Sequence, residues 1–359
     1  MNSTNNHLSS ISNWILITIA VLASLLYFEN FLKSLVIAIL IWYLIKKLRD
    51  SIAKLKWGKV APPKWLITIS STVVIFLIIY LITQIISSNI QKLAIELPRH
   101  SDNIKALLRQ IESALGIDDL EKSFSILFDQ YKNEIISYAG SFAGAIGKSI
   151  MVLVYVVFIL MEESLFGKKI KKVLETTPQG SNIHKVGAAI TLLFDKYLSV
   201  KIFTSFITGV LSYFVLLIIG VELAGLWAFL IFLFNFIPTV GSIIATAFPS
   251  LFAIVQFGGF HEFAWVLTSV GAIQLLVGNL IEPRIMGNRL NISPMVVLIG
   301  LTLWGFIWGV TGMLLSVPIT ATFIIIFSQF NETKALAILL SKNGEIGLVD
   351  QSEPQAEVN

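Results

Sequence analysis

The residues best suited to chemistry in this chain stand in two short clusters. Gln274, Asn279 and the run Glu282-Pro283-Arg284 close a long apolar segment, and polar groups there are costly unless they serve a path or pair together. Glu282 is a candidate proton or cation site with Arg284 as its partner; a salt bridge that simply ends a helix at the headgroups is the alternative. Asn235 opens the run Asn235-Phe236-Ile237-Pro238-Thr239-Val240-Gly241-Ser242, where its amide can bond freed backbone or a solute hydroxyl. Pro238 and Gly241 interrupt helix there and leave carbonyls unpaired.

Other chemistries find no residues. The chain has no cysteine, which removes disulfides, thiolates and cysteine-based metal sites. Its four histidines, His7, His100, His184 and His261, are scattered without H-E-x-x-H spacing, so no metal or other cofactor is expected. The run Ala145-Ile146-Gly147-Lys148-Ser149 ends like a phosphate-binding loop, but Phe142 occupies the place of the first glycine and no strand precedes it. ATP binding is rejected, and an energy source must be a gradient or a separate subunit. The chain reads as a non-enzyme.

The elements that position these clusters are set by lipid. Of 359 residues 55% are hydrophobic and 13% charged, with a mean hydropathy of +0.81, beyond the range of soluble domains. A spanning helix needs about 20 apolar residues, and Trp65 to Ile86, Phe142 to Met161 and Ile202 to Ile219 supply them. Trp14 to Phe28 and Phe31 to Ile45, parted by Glu29 and Asn30, predict a tight helical hairpin. No Lys or Arg precedes the first run, so it reads as a retained helix rather than a signal peptide.

The net charge of +4 reflects topology rather than nucleic-acid binding. Lys46, Lys47, Arg49, Lys54, Lys56, Lys59 and Lys64 follow the second helix, and Lys168, Lys169, Lys171, Lys172, Lys185, Lys196 and Lys201 follow the fourth. Such clusters mark cytoplasmic loops. Residues 87–141 carry six Lys/Arg against eight Asp/Glu and read as external, which places the N-terminus in the cytoplasm. Ile104, Leu107, Leu108, Ile111 and Leu115 give that segment an amphipathic helix, with a start at Pro98, Ser101 and Asp102 and a stop at Gly116. A second amphipathic run is expected from Asp118 to Ile136. Glu162 to Glu175 reads as a helix in the headgroup plane, broken at residues 177–180. Gly305 and Gly309, like Gly140 and Gly144, suit close helix contact, and Trp304 with Trp308 suits packing better than ligand stacking.

Two apolar stretches are too long for one crossing. Leu223 to Phe257 runs 35 residues without a charge, about 52 Å as one helix. Met295 to Phe327 runs 33, about 50 Å, with Gly305, Gly309, Gly312 and Pro318 inside. Helix breaks at membrane depth are tolerated only where backbone is buried in protein or lines a polar cavity. If both stretches are hairpins, each following an ordinary span, the arrangement is an inverted repeat of the kind that supports alternating access. If each crosses once, tilted and kinked, the count is eight plain spans.

The expected fold is therefore an all-α polytopic integral membrane protein of about eight membrane segments, two of them overlong and broken, with a small external helical segment. The chain divides into an N-terminal hairpin (1–50), a cytoplasmic loop and third span (51–86), the external segment (87–141), the fourth span (142–161), a cytoplasmic elbow (162–200), a transport core (201–330) and a cytoplasmic tail (331–359).

Four motifs carry a resemblance: Asn235 to Ser242 (NFIPTVGS), Gly278 to Gly287 (GNLIEPRIMG), Leu303 to Pro318 (LWGFIWGVTGMLLSVP) and Ala335 to Ser341 (ALAILLS). In this order the chain resembles the autoinducer-2 exporter family of bacterial permeases, most closely its quorum-signal branch. The resemblance implies an inner-membrane transporter without an ATPase, exporting autoinducer-2 or a related small polar solute; some members resemble sodium or lithium/proton antiporters. By motif it carries over to Asn235, Pro238, Gly241, Asn279, Glu282, Pro283, Arg284, Gly312 and Pro318. Many members place a lysine six residues after the proline of GMLLSVP, where this chain has Ile324, so that lysine's lipid or partner contacts are in doubt here. The expected partners are the solute, membrane lipids and further copies of the chain, with a pentamer the candidate number, and neither nucleic acid nor ATP. A non-transporting scaffold or sensor built on residues 87–141 is the third reading.

Overall fold

A computed structural model of the chain describes residues 16–17, 19–54, 63–116, 119, 122–123, 126, 130, 150–176, 180–287 and 291–344. The pair Gly140 and Gly144, the phosphate-loop look-alike, most of the run from Asp118 to Ile136 and the tail beyond residue 344 lie outside these. Among the described residues there is no strand, only an isolated bridge between Ile292 and Ser341. The helices are α1 (Glu29–Lys54), α2 (Lys64–Arg99), α3 (Ser101–Leu115), α4 (Ile150–Thr176), α5 (Gly180–Ile219), α6 (Ala224–Phe234), α7 (Val240–Phe257), α8 (Phe260–Leu276), a π-helical turn (Val277–Ile281), α9 (Glu282–Met286), α10 (Pro294–Trp308), α11 (Val310–Phe327) and α12 (Lys334–Leu340). Among the described residues six helical segments are long and apolar enough to cross a membrane, and two shorter apolar helices, α6 and α10, accompany them.

The chain forms two compact units. The first comprises residues 1–76, 149–175 and 299–316. Ala38 and Ile45 of α1 pack on Val152 and Val156 of α4, with Phe31 edge-on to Tyr155 at 5.8 Å. Arg49 binds both oxygens of Glu163, at 3.0 and 2.6 Å, and the Trp42 indole N–H reaches the same carboxylate at 3.3 Å. Glu163 thus joins two helices from within α4. The Trp304 and Trp308 rings lie 5.5 Å apart, both buried, and the Trp308 indole N–H donates to the Leu25 carbonyl at 3.4 Å. They pack within the protein, as their spacing suggested.

Helix boundaries follow local chemistry. The break between the two N-terminal apolar runs falls at Phe28, and Glu29 pairs with Lys33 in the first turn of α1. Helix α3 begins at Ser101 and stops at Gly116, whose φ of 65° is the left-handed C-cap expected of glycine. The lysine-rich segment Glu162 to Glu175 is the unbroken continuation of α4, and residues 183–200 continue directly into the fifth span as part of the 40-residue α5.

The second unit comprises residues 77–148, 176–298 and 317–359, and here the first overlong stretch folds back on itself. Gln256, at the end of α7, accepts from the Glu222 N–H at 2.8 Å and donates to the Gly220 carbonyl at 2.9 Å. The start of α6 and the end of α7 are therefore side by side. At the tip Thr239 takes φ 61°, and Gly241 sits against the Phe234 carbonyl so closely that a Cβ would collide with it. Seven residues of straight helix would separate those two by about 10 Å. Trp227, Ile231, Phe252 and Ala253 form the hairpin's core together with Val266 and Val270 of α8.

The second overlong stretch reverses in the same way. Gly309 takes φ 61°, and a Cβ on Gly312 would collide with the Trp304 carbonyl. Its base is pinned by the Ser293 N–H on the Leu340 carbonyl at 3.1 Å and the Lys342 N–H on the Asn291 carbonyl at 3.2 Å. Helix α8 and its continuation run 27 residues from the base of the first hairpin toward the base of the second, so the hairpins open at opposite ends of α8. Each overlong stretch is a reversed pair of half-helices rather than one kinked helix.

Gly241→Leu and Gly312→Leu should each destabilise the protein beyond the about 1–3 kcal/mol of ordinary overpacking, because backbone and not a yielding side chain blocks the space. Gly187→Ala in α5, with nothing within 4 Å of the added carbon, should leave the melting temperature in detergent unchanged or slightly raised. Thermal unfolding of the three variants checks this.

Candidate transport site

The site forms where α5 passes the tip of the first hairpin. Helix α6 is 11 residues long, about 16 Å, so the reversal lies about half a bilayer thickness from the turn at Gly220. Facing it, α5 presents Tyr197, Lys201, Ser205 and Gly209 at successive four-residue steps, with Thr204, Thr208 and Ser212 beside them. All the polar members of this stripe are buried. Thr204 and Thr208 satisfy their hydroxyls on the carbonyls one turn back, Val200 at 2.9 Å and Thr204 at 2.8 Å. Gly209 brings the two helices together, since a Cβ there would stand 3.1 Å from the Ala228 carbonyl.

At the tip the Asn235 side-chain amide donates to Ser205 Oγ at 3.1 Å. The Asn235 main-chain carbonyl accepts from Lys201 Nζ at 3.2 Å. This carbonyl lies where α6 ends, and the hairpin turn offers it no regular helical partner. The same ammonium forms an ion pair with Glu282 Oε1 at 2.6 Å, with the two side chains 8% and 17% exposed. A charge pair this far from water needs close geometry and additional hydrogen bonds to offset desolvation, and Asn235 supplies one.

Glu282 reaches this position through the π turn. Pro283 has no N–H for the carbonyl of Asn279, and its ring crowds that carbonyl. The Glu282 N–H bonds Val277, five residues back, and π turns of this kind cluster at functional positions. On its other side Glu282 lines a cavity of about 280 Å³ with Gly278, Pro283, Met286, Asn291, Ile292 and Lys342. The ALAILLS segment, whose Ser341 bridges Ile292, brings Lys342 to that cavity. Three buried polar atoms of the unit, Tyr197 Oη, Ser212 Oγ and Gln274 Nε2, have no hydrogen-bond partner among the described residues.

Sequence had assigned Glu282 to Arg284, and this is corrected. Arg284, two residues on and so on another face of the helix from Glu282, is exposed and makes no ion pair among the described residues, and Asn279 is exposed too. Asn235 and Glu282 meet only through Lys201, which sequence had counted with the cytoplasmic lysines. Pro238 and Gly241 shape the reversal, Gln274 is buried, and Pro318 is buried inside α11. Gly312 shapes the tip of the other hairpin in the first unit. The overlooked signal was the stripe itself: Tyr197, Lys201 and Ser205 repeat at one-turn spacing into an apolar span.

Lys201→Met and Glu282→Gln should each cost about 3–5 kcal/mol, the range for stranding one member of a buried pair. The double variant should lose less than the sum of the two. Thermal unfolding of the four proteins in one detergent completes the cycle, and strict additivity would show that the two groups do not interact.

Comparison with known proteins agrees with this architecture. The family described as AI-2E family transporter matches residues 15–332. The AI-2 transport protein TqsA of Escherichia coli strain K12 is 28% identical over 331 residues, 90% of this chain and 93% of its own. A Haemophilus influenzae protein with a provisional transport assignment is 31% identical over 324 residues, covering 86% and 88%, and YhhT of Escherichia coli strain K12 is 30% identical over 281 residues, covering 76% and 79%. With its apolar spans and paired hairpins, the chain is a multi-pass membrane transport protein of the bacterial inner membrane, not an enzyme, and belongs to the AI-2E transporter family.

Proposed function

We propose that this transporter is of the secondary type and exports a small hydroxylated solute, with autoinducer-2 as the substrate. The observation that carries the reading is the Lys201 ammonium, shared between Glu282 and the open carbonyl of Asn235 at the tip of a broken helix. A polar solute arriving there meets charged and neutral hydrogen-bonding groups already held in place. The Tyr197 hydroxyl and the Gln274 amide nitrogen, without a partner among the described residues, are further groups of the same unit that a hydroxylated solute can satisfy. The relative named for AI-2 transport, alike over nine-tenths of this chain, supports the choice of solute. Hairpins opening at opposite ends of α8 support alternating access, in which the Lys201 pair breaks and reforms as the tip moves. Asn279 and Arg284 are proposed to act from the outer surface of the π turn, on lipid or a neighbouring copy in a homo-oligomer, and the termini are assigned to the cytoplasm from the lysine clusters.

The antiport reading is weaker on the same observation. Sodium or lithium at Glu282 would have to displace an ammonium already 2.6 Å from the carboxylate. Purified protein in liposomes should exchange autoinducer-2 across the bilayer, and Lys201→Met should slow exchange at least about tenfold, the equivalent of about 1.4 kcal/mol. Folded wild-type protein that moves no autoinducer-2 with or without a proton gradient would reject the substrate. Sodium- or lithium-dependent dissipation of a pH gradient in everted vesicles, lost in Glu282→Gln, would select antiport instead.

A further inference from the structure

We infer that Glu96, His100 and Glu222 form a site for a first-row divalent transition-metal ion that clasps the α2–α3 junction to the base of the first hairpin. One ligand atom from each of the three side chains lies within 4.8 Å of the other two. His100 Nε2 is 3.3 Å from Glu222 Oε2. Two ligands of a tetrahedral ion with bonds of about 2.1 Å stand about 3.4 Å apart, so this pair already has the spacing that a shared ion imposes. Glu96 is one turn before His100, and the His100 N–H on the Glu96 carbonyl at 3.2 Å keeps both side chains on one helical face.

The surroundings fix the ligands from both sides of the joint. Three residues beyond His100, the Asn103 side-chain amide donates to the carbonyls of Val255 and Gln256 at 3.3 and 2.7 Å, closing the C-terminus of α7. Gln256 in turn accepts from the Glu222 N–H, and the Trp227 indole N–H donates to the Glu222 carbonyl at 3.1 Å. The backbone that carries Glu222 is therefore held by α6 and α7, and the backbone that carries His100 is held by Asn103. The Glu96 carboxylate has Arg99 at 2.9 Å, but that arginine side chain is 67% exposed, and an exposed pair of this kind contributes little.

The donor set selects the class of ion. One imidazole with two carboxylates suits zinc, manganese or cobalt. Calcium and magnesium take oxygen ligands, and calcium takes at least six of them. Three protein ligands leave the remaining positions to water. The ion would neutralise two carboxylates at the joint and stiffen it against opening.

The test is titration calorimetry of zinc into untagged, detergent-purified full-length protein, with calcium as a control. Wild type should take up one zinc ion per chain and calcium at least about tenfold more weakly. His100→Ala and the isosteric Glu222→Gln should each weaken zinc at least about tenfold, while His261→Ala, an exposed imidazole beside Trp265, should not. Size exclusion of each variant confirms folding. Absence of stoichiometric zinc uptake would overturn the site, leaving His100 and Glu222 a hydrogen-bonded pair only. Uptake untouched by His100→Ala and Glu222→Gln, or calcium bound as tightly as zinc, would overturn it equally.

Discussion

A single ammonium group inside the second unit ties together two polar groups that the chain carries 47 residues apart. Lys201 touches the carbonyl of Asn235 at the hairpin tip and the carboxylate of Glu282 after the π turn. Reversing a helix inside a membrane exposes carbonyls with no water to satisfy them, and a carboxylate at the same level is unaffordable alone. One cation answers both. The other features of the region follow from keeping it in place: Gly209 to bring α5 against α6, Ser205 to hold the Asn235 side chain, and Pro283 to force the π turn that swings Glu282 inward.

The two hairpins solve one steric problem twice. In each, a glycine in the second half-helix lies against a carbonyl that ends or nearly ends the first, Gly241 on Phe234 and Gly312 on Trp304. Close approach at the reversal lets two half-helices pack immediately after the turn, which limits how much irregular backbone is left open. A residue with φ near 60° precedes each contact, Thr239 in one case and Gly309 in the other. Threonine in that conformation is strained where glycine is not, so the first tip stores strain that the second does not. Such strain is typical of parts that move or bind.

Much of this was legible in the residues, and the reasons for what was not are specific. Segment lengths and the positions of Pro238, Gly241, Gly309 and Gly312 were enough to predict breaks, because lipid thickness is a ruler that sequence can be held against. The direction of each reversal was not legible, since it rests on side-chain bonds such as Gln256 to Gly220 that join residues 36 apart. Lys201 was misread for a physical reason as well: positive charge at the end of an apolar run usually means a cytoplasmic loop, and only its neighbours one turn away, Tyr197 and Ser205, mark it as inward-facing. The partner of Glu282 was misassigned because it was sought next to it in the chain. Residues two apart on a helix do not face each other, so Arg284 stays exposed while Glu282 reaches Lys201.

The same reasoning explains why the polar joint at His100 and Glu222 left no trace in the sequence. Its two sides are 122 residues apart, and metal spacing rules recognise ligands only when one helix or loop carries most of them. The joint also bears on motion. The tip of the first hairpin is held by one buried ion pair and a few hydrogen bonds, whereas its base is tied by Gln256 to Gly220 and Glu222 and, through Asn103, to α3. Under the proposed alternating access, the tip, held through a charge that a polar ligand can compete for, is the end freer to move. The strained Thr239 lies at this tip, and the left-handed Leu223 at the tied base.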